Sequence, residues 1–130
     1  MNKGNIVRVL AGAAIALGLA GSAWSHHSAA QFDFGNRDVA VTGVVKYIRF
    51  ANPHAKLILE VTDERGTRDI EFEGHSRNNM IRQGLLPDMM QVGDTITIQI
   101  APMRDGTDGG YVTGLRMPDG RMVGNVTAAD

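Results

Sequence analysis

Four histidines are the residues of this 130-residue chain best suited to chemistry: His26, His27, His54 and His75. Imidazole nitrogen binds divalent transition metals, and copper has the highest affinity for such donors in the Irving–Williams order. The chain contains no cysteine, which excludes thiolate nucleophiles, disulfides and zinc–thiolate sites. The composition therefore favours a nitrogen-donor metal site over thiol chemistry.

The residues that precede the histidines have the order of a secretory signal peptide. Lys3 and Arg8 give a positive region, an apolar run covers residues 9–20, and small residues follow. We predict that residues 1–25 are removed and that the mature protein is periplasmic or secreted, with no stable membrane insertion after cleavage. An uncleaved N-terminal anchor is the alternative, although the apolar run is short for a membrane span.

Two cleavage sites satisfy the preference of signal peptidase for small residues. Ala23 and Ser25 permit a mature chain that begins at His26, whereas Gly21 and Ala23 permit one that begins at Trp24. The two cuts leave different mature N-termini, and both place a histidine within the first three residues.

Both mature N-termini can chelate copper. With His26 first, its free amine and Nδ1 bind one ion, and a nitrogen of His27 or His54 completes a T-shaped site. With His26 third, the amine, two deprotonated amides and the imidazole form a square-planar set. We predict a copper site that uses His26, His27 and His54.

Each of these residues also has a simpler interpretation. The terminal histidine pair can be a solvated arm, and His54 can follow Asn52-Pro53 only as part of a turn. His75 can assist Ser76 in capping a helix. The six methionines that follow the initiator lack a short repeated spacing, which favours packing over metal binding.

The sequence gives little support for catalysis. There is no HExxH motif, no phosphate-binding glycine loop and no Ser-His-Asp spacing. Strand alternation explains Glu71 and Glu73 as solvent-facing, and Asp33 can either orient an imidazole or solvate the arm. We expect a binding protein rather than an enzyme. If the protein is an enzyme, we expect its activity to be copper-dependent oxidation.

Charge argues against a nucleic-acid partner. All fourteen acidic residues follow residue 25, whereas only eleven of the thirteen Lys and Arg residues do, so the predicted mature domain carries a net charge of −3. Its basic residues are scattered, and nucleic-acid binding requires a basic patch.

Hydrophobic patterning predicts six strands and one short helix. The strands cover residues 39–50, 56–62, 68–73, 95–100, 111–117 and 121–126. Ser76 begins a helix over residues 76–83 that directs Met80 and Ile81 to the core and ends at Gly84. Gly43 predicts a bulge or bend in the first strand.

This order predicts a mostly β fold: a small, OB-like, five-stranded Greek-key barrel with one short helix between strands 3 and 4. An open antiparallel sheet or a sandwich is the alternative. We expect a signal peptide over residues 1–25, an extended arm over 26–38, the barrel over 39–126 and a tail over 127–130. The loop face around residues 52–54 and 104–111 gives a second functional hypothesis, an interaction module for an envelope protein or glycan with incidental metal binding.

The ordered motifs of the chain resemble one family. The motifs are His26-His27-Ser28, Phe32-Asp33, Thr42-Gly43-Val44-Val45, Asn52-Pro53-His54, Val92-Gly93-Asp94 and Pro118-Asp119-Gly120-Arg121. Together they resemble the DUF6152 family of small exported bacterial proteins of unassigned function. The resemblance implies export and a small β-rich fold, and it implies no activity or catalytic residue.

Overall fold

The computed structural model describes residues 29–117 and 119–124 of the chain. The chain divides into two compact units, Met1–Gln31 and Phe32–Asp130. Residues 29–31 are the described part of the first unit, and Ala29 and Ala30 are helical. The predicted signal peptide, His26, His27 and the predicted tail lie outside the described residues.

The described part of the second unit is mostly β, with six strands and one short helix. These elements are β1 (Val39–Arg49), β2 (Ala55–Asp63), β3 (Gly66–Gly74), α1 (Arg77–Arg82), β4 (Thr95–Pro102), β5 (Gly110–Arg116) and β6 (Met122–Val123). The helix lies between β3 and β4, as the sequence predicts.

Five of these strands close into a barrel. Neighbouring strands follow the order β3-β2-β1-β4-β5, and β3 also pairs with β5. The closing β3–β5 pair is parallel, while the other pairs are antiparallel. The predicted OB-like Greek-key barrel is therefore confirmed, and β6 adds a short strand beside β5.

Alternation along β2 shows how the barrel is filled. Leu57, Leu59 and Val61 are at most 7% exposed, whereas the residues between them are only partly buried. Removing such side chains from water stabilises the fold by about 1.5–3 kcal/mol each. The strand therefore directs one face to the core and the other to the surface.

Helix α1 connects the barrel to the loop that precedes β4. Ser76 is its N-cap, and the Ser76 side chain accepts a hydrogen bond from the Asn79 backbone N–H at 3.3 Å. Met80 is 4% exposed and packs in the core, while Ile81 is half-buried. Gly84 follows the helix with a positive φ of 85°, which glycine adopts without strain.

The bulge in β1 differs in position from the one that Gly43 predicts. The register against β2 shifts between Val45 and Tyr47. Gly43 instead lies where the strands approach closely, because a Cβ atom there would be 2.7 Å from the Glu60 carbonyl oxygen. The adjacent residue Val44 pairs with both β2 and β4. The part of β1 before Val44 pairs with β4, and the part after it pairs with β2.

Candidate functional site

The ends of β2, β3 and β5 bring polar and aromatic side chains to one place. His54 precedes β2, Glu73 is near the end of β3, and Tyr111 is near the start of β5. The β3–β5 pairing sets Glu73 opposite Tyr111. His75 is held beside β2 because its carbonyl oxygen accepts a hydrogen bond from the Ala55 N–H at 3.0 Å.

His54 pairs with Glu73. Its Nδ1 lies 2.8 Å from Glu73 Oε1, and the His54 side chain is 44% exposed. Burial raises the pKa of Glu73, while the charge of His54 opposes that shift and the nearby Glu71 adds to it. A carboxylate beside Nδ1 favours a proton on that nitrogen, which leaves Nε2 as the donor for a metal.

His75 pairs with Tyr111 instead. The Tyr111 hydroxyl and His75 Nδ1 are 3.0 Å apart, and the rings meet edge to face at 90°. Burial lowers the pKa of His75, and His54 lowers it further. Burial also raises the pKa of Tyr111 to about 12. Both groups are therefore neutral at pH 7.

Tyr111 also anchors the segment that enters the barrel. Phe32 is 3% exposed, and its ring centroid lies 5.4 Å from that of Tyr111. Phe34 packs against the same ring at 5.3 Å. Arg104 Nε donates to the Phe32 carbonyl at 2.9 Å, and the Asp33 N–H donates to the Pro102 carbonyl at 2.8 Å. The first residues of this unit are thus fixed beside Tyr111.

The structure describes one of the three predicted copper ligands. His54 is exposed and paired with Glu73, whereas His26 and His27 are outside the described residues. Among residues 29–117 and 119–124, no group of three or more His, Cys, Asp or Glu side chains is placed to hold an ion. Within this part of the chain, His54 therefore has no complete ligand set.

Two other residues singled out in the sequence make local contacts. His75 contacts Tyr111, and the Ser76 hydroxyl alone caps α1 by a side-chain hydrogen bond. Asp33 Oδ1 accepts a hydrogen bond from the Gly35 N–H at 3.2 Å, which places this carboxylate in a local turn.

Sequence reasoning missed Glu73 as a site residue, and it placed Tyr111 at the edge of the loop face without identifying its partner. Alternation predicts Glu73 as solvent-facing, yet its side chain is only 28% exposed and contacts His54. Tyr111 lies 36 positions from its partner His75. The sequence offered one signal for this proximity, because Tyr111 is at the edge of the predicted loop face that also contains His54. In the structure the two rings are 6.5 Å apart.

A separate charged cluster joins the β2–β3 turn to the β4–β5 loop. Arg68 contacts Asp108 at 2.6 Å and Asp63 at 2.8 Å, and Arg65 contacts Asp108 at 2.5 Å. Hydrogen bonds from Arg68 are the main cause of the low pKa of both carboxyls, which reaches about 2 for Asp63. The two carboxylates balance two guanidinium groups, and we assign this cluster to stability.

The structure is a small OB-like barrel in which two histidines, Glu73 and Tyr111 lie together near the ends of β2, β3 and β5. The model of the DUF6152 family, described as a family of unknown function, matches residues 14–113. The chain therefore belongs to the DUF6152 family. No curated protein matches the chain. Of the residues described, none belongs to a helix with the length and apolar character needed to cross a membrane.

Proposed function

We propose that this chain is an exported, non-catalytic protein that binds copper through His26, His27 and His54. The observation that supports this proposal is the contact between His54 Nδ1 and Glu73 Oε1 at 2.8 Å. Histidines that ligate metals usually present one ring nitrogen to the ion while a carboxylate or carbonyl holds the other. His54 has this arrangement on an exposed surface, where an ion can reach Nε2.

The remaining donors come from the predicted mature N-terminus. If cleavage follows Ser25, the amine and Nδ1 of His26 chelate the ion from one residue. Phe32 lies against Tyr111, and Tyr111 also contacts the ring of His54. His26 lies six positions before Phe32, a stretch that spans at most about 20 Å when fully extended. Covalent length therefore permits His26 to reach His54.

A copper titration of protein purified from the periplasm tests this proposal. Intact mass fixes the N-terminus, and EPR of the Cu(II) form reports the nitrogen donors. We expect one tight equivalent, with affinity lowered at least tenfold by His26→Ala and also by His54→Ala. His75→Gln is the matched control, because His75 faces Tyr111.

Two results would overturn the proposed ligand set. Copper that a histidine-containing buffer removes from the wild-type protein would mean that no dedicated site exists. Tight binding that survives His54→Ala would restrict the site to the N-terminus and remove His54 from it.

The second candidate is an interaction module that binds an envelope protein or glycan at the loop face. The observation that supports it is the 6.5 Å separation of the His54 and Tyr111 rings, which brings the ends of the two predicted loop segments close together. A partner that mature protein retains in the presence of a chelator would support this function over copper binding.

A further inference from the structure

Strands β1 and β2 pair along only part of their length. Their pairing begins with Val44 of β1 and Glu60 of β2. Residues 39–43, which precede Val44, pair with β4 alone, and residues 61–63, which follow Glu60, pair with β3 alone. Among the described residues, the facing edges of these two segments therefore have no strand partner.

A cavity of about 440 Å³ lies between the two separated edges. Residues 40–42 of β1 and 61–63 of β2 form two of its walls, and residues 106–109 of the β4–β5 loop form a third. Four buried core residues also line it: Val61, Ile70, Phe72 and Ile100. We call this cavity and its walls the β1–β2 cleft. The cleft leads from the open strand edges to the apolar core.

The loop wall of the cleft is fixed in place. Asp108 of the loop contacts Arg65 and Arg68 of the β2–β3 hairpin. Gly109 lies so close to β3 that a Cβ atom there would be 2.8 Å from the Glu71 carbonyl oxygen. These contacts hold the loop in position, so a ligand would not have to order it, and that lowers the free-energy cost of binding.

The open edge of β1 selects the chemistry of the partner. Successive residues of a strand direct their backbone groups to opposite edges, so residues 39–43 present N–H and C=O groups at the spacing of a strand. An extended polypeptide carries complementary groups at that spacing, whereas sugars and nucleic acids do not. The carboxylates of Asp63 and Asp108 balance the two guanidinium groups at the rim, which favours a segment without a large net charge.

We propose that the β1–β2 cleft binds an extended peptide segment of a partner protein. The segment pairs with the open edge of β1 and inserts an apolar side chain into the cavity, so that backbone hydrogen bonds give affinity and the cavity gives specificity. From residue 39 to residue 43 the edge extends about 14 Å, which suits about five residues of peptide. This inference goes beyond both candidate functions, because His54 and Tyr111 are not among the residues that line the cleft.

A random heptapeptide library displayed on phage, panned against processed protein in EDTA, supplies the probe. The tightest-binding peptide is synthesised and titrated into isotope-labelled protein, and we expect saturable NMR shifts at the amides of residues 40–42. Two further forms of this peptide are N-methylated at odd or at even positions. Pairing through one edge uses the amides of alternate residues. One form should therefore bind about tenfold more weakly, the loss expected for one or two hydrogen bonds, while the other retains binding.

Ala40→Arg places a long side chain at the β1 wall and should also weaken binding by about tenfold. Leu86→Arg is the matched control, since Leu86 is 40% exposed and lies outside the cleft. Equal affinities of the two variants, each verified as folded by its NMR spectrum, would overturn the assignment to this cleft. Binding that survives both methylation patterns would overturn strand pairing, and a selection without any saturable binder would overturn the peptide proposal. Because EDTA is present throughout, these outcomes are independent of the copper titration.

Discussion

The Tyr111 hydroxyl lies 3.0 Å from His75 Nδ1 and joins the start of β5 to the connection between β3 and α1. The two rings meet at 90°, with centroids 4.9 Å apart. This hydrogen bond is partly buried, so a change that removes one partner leaves the other poorly solvated.

Tyr111→Phe should therefore lower the free energy of unfolding by about 1 kcal/mol, the usual net contribution of one such hydrogen bond. Urea denaturation at pH 7 measures the change. Tyr47→Phe is the control, because Tyr47 is 41% exposed. We expect that substitution to change stability by less than about 0.5 kcal/mol. Equal losses in the two variants would contradict a structural role for the Tyr111–His75 bond.

The same pair predicts a dependence of stability on pH. Burial lowers the pKa of His75 in the folded protein below its ordinary value of 6.5. As pH falls below about 6.5, the unfolded state gains a proton that the folded state resists, so the free energy of unfolding decreases. The decrease ends below the folded pKa. Thermal melting from pH 8 to 5 measures this effect, and His75→Gln should flatten the profile; an unchanged profile would exclude His75 as its source.

Glu73 should act on copper binding without being a ligand. In the proposed site, Glu73→Gln removes the charge that holds the proton on His54 Nδ1, and copper affinity should fall by about 10- to 100-fold. Glu71→Gln is the matched control, since Glu71 lies on the same strand and pairs with Lys56. Isothermal titration of both variants makes the comparison. Equal affinities would show that Glu73 does not position His54.

The Arg68 cluster should protect the fold against acid. The pKa of Asp63 is lowered to about 2 and that of Asp108 is also lowered, with hydrogen bonds from Arg68 as the largest cause. Their contribution is present above the unfolded pKa of about 3.9 and is lost as pH falls through the lowered folded pKa values. Asp108→Asn should lower the melting temperature at pH 7 and have a smaller effect at pH 2. Asp88→Asn, on an exposed connection, should leave the melting temperature unchanged at both values.

Gly43→Ala should strongly destabilise the barrel. The added Cβ would lie 2.7 Å from the Glu60 carbonyl oxygen and 3.1 Å from Leu59 Cβ, so β1 and β2 would have to separate. Such overpacking costs about 1–3 kcal/mol. In Gly35→Ala the nearest atom is the Asp33 carboxylate oxygen at 3.3 Å, and we expect a change within about 0.5 kcal/mol. Chemical denaturation of both variants compares them.

Much of the fold could be predicted from local patterns. Apolar residues alternate along β2 and β4, and the Asp63–Gly66 turn separates β2 from β3. Alternation identifies a strand because successive side chains point to opposite faces. Ser76 marks the start of α1 for an equally local reason, since its side chain satisfies a free backbone N–H.

The bulge in β1 was not predictable in the same way. Gly43 was the visible irregularity, yet the register shift lies between Val45 and Tyr47. A bulge depends on two strands at once, and local sequence describes only one of them. The close approach of Gly43 to the Glu60 carbonyl is likewise a property of the strand pair.

The sequence by itself determined the strand order, the helix position, the absence of thiol chemistry and the histidines available as donors. Only the tertiary structure decided which of those histidines has a carboxylate partner and which has a phenol. His54 pairs with Glu73, and His75 pairs with Tyr111, because the β2–β3 and β3–β5 registers place distant residues together. The β2–β3 register follows from a tight turn, whereas the β3–β5 register joins strands that are distant in sequence and depends on closure of the barrel, which no local pattern encodes.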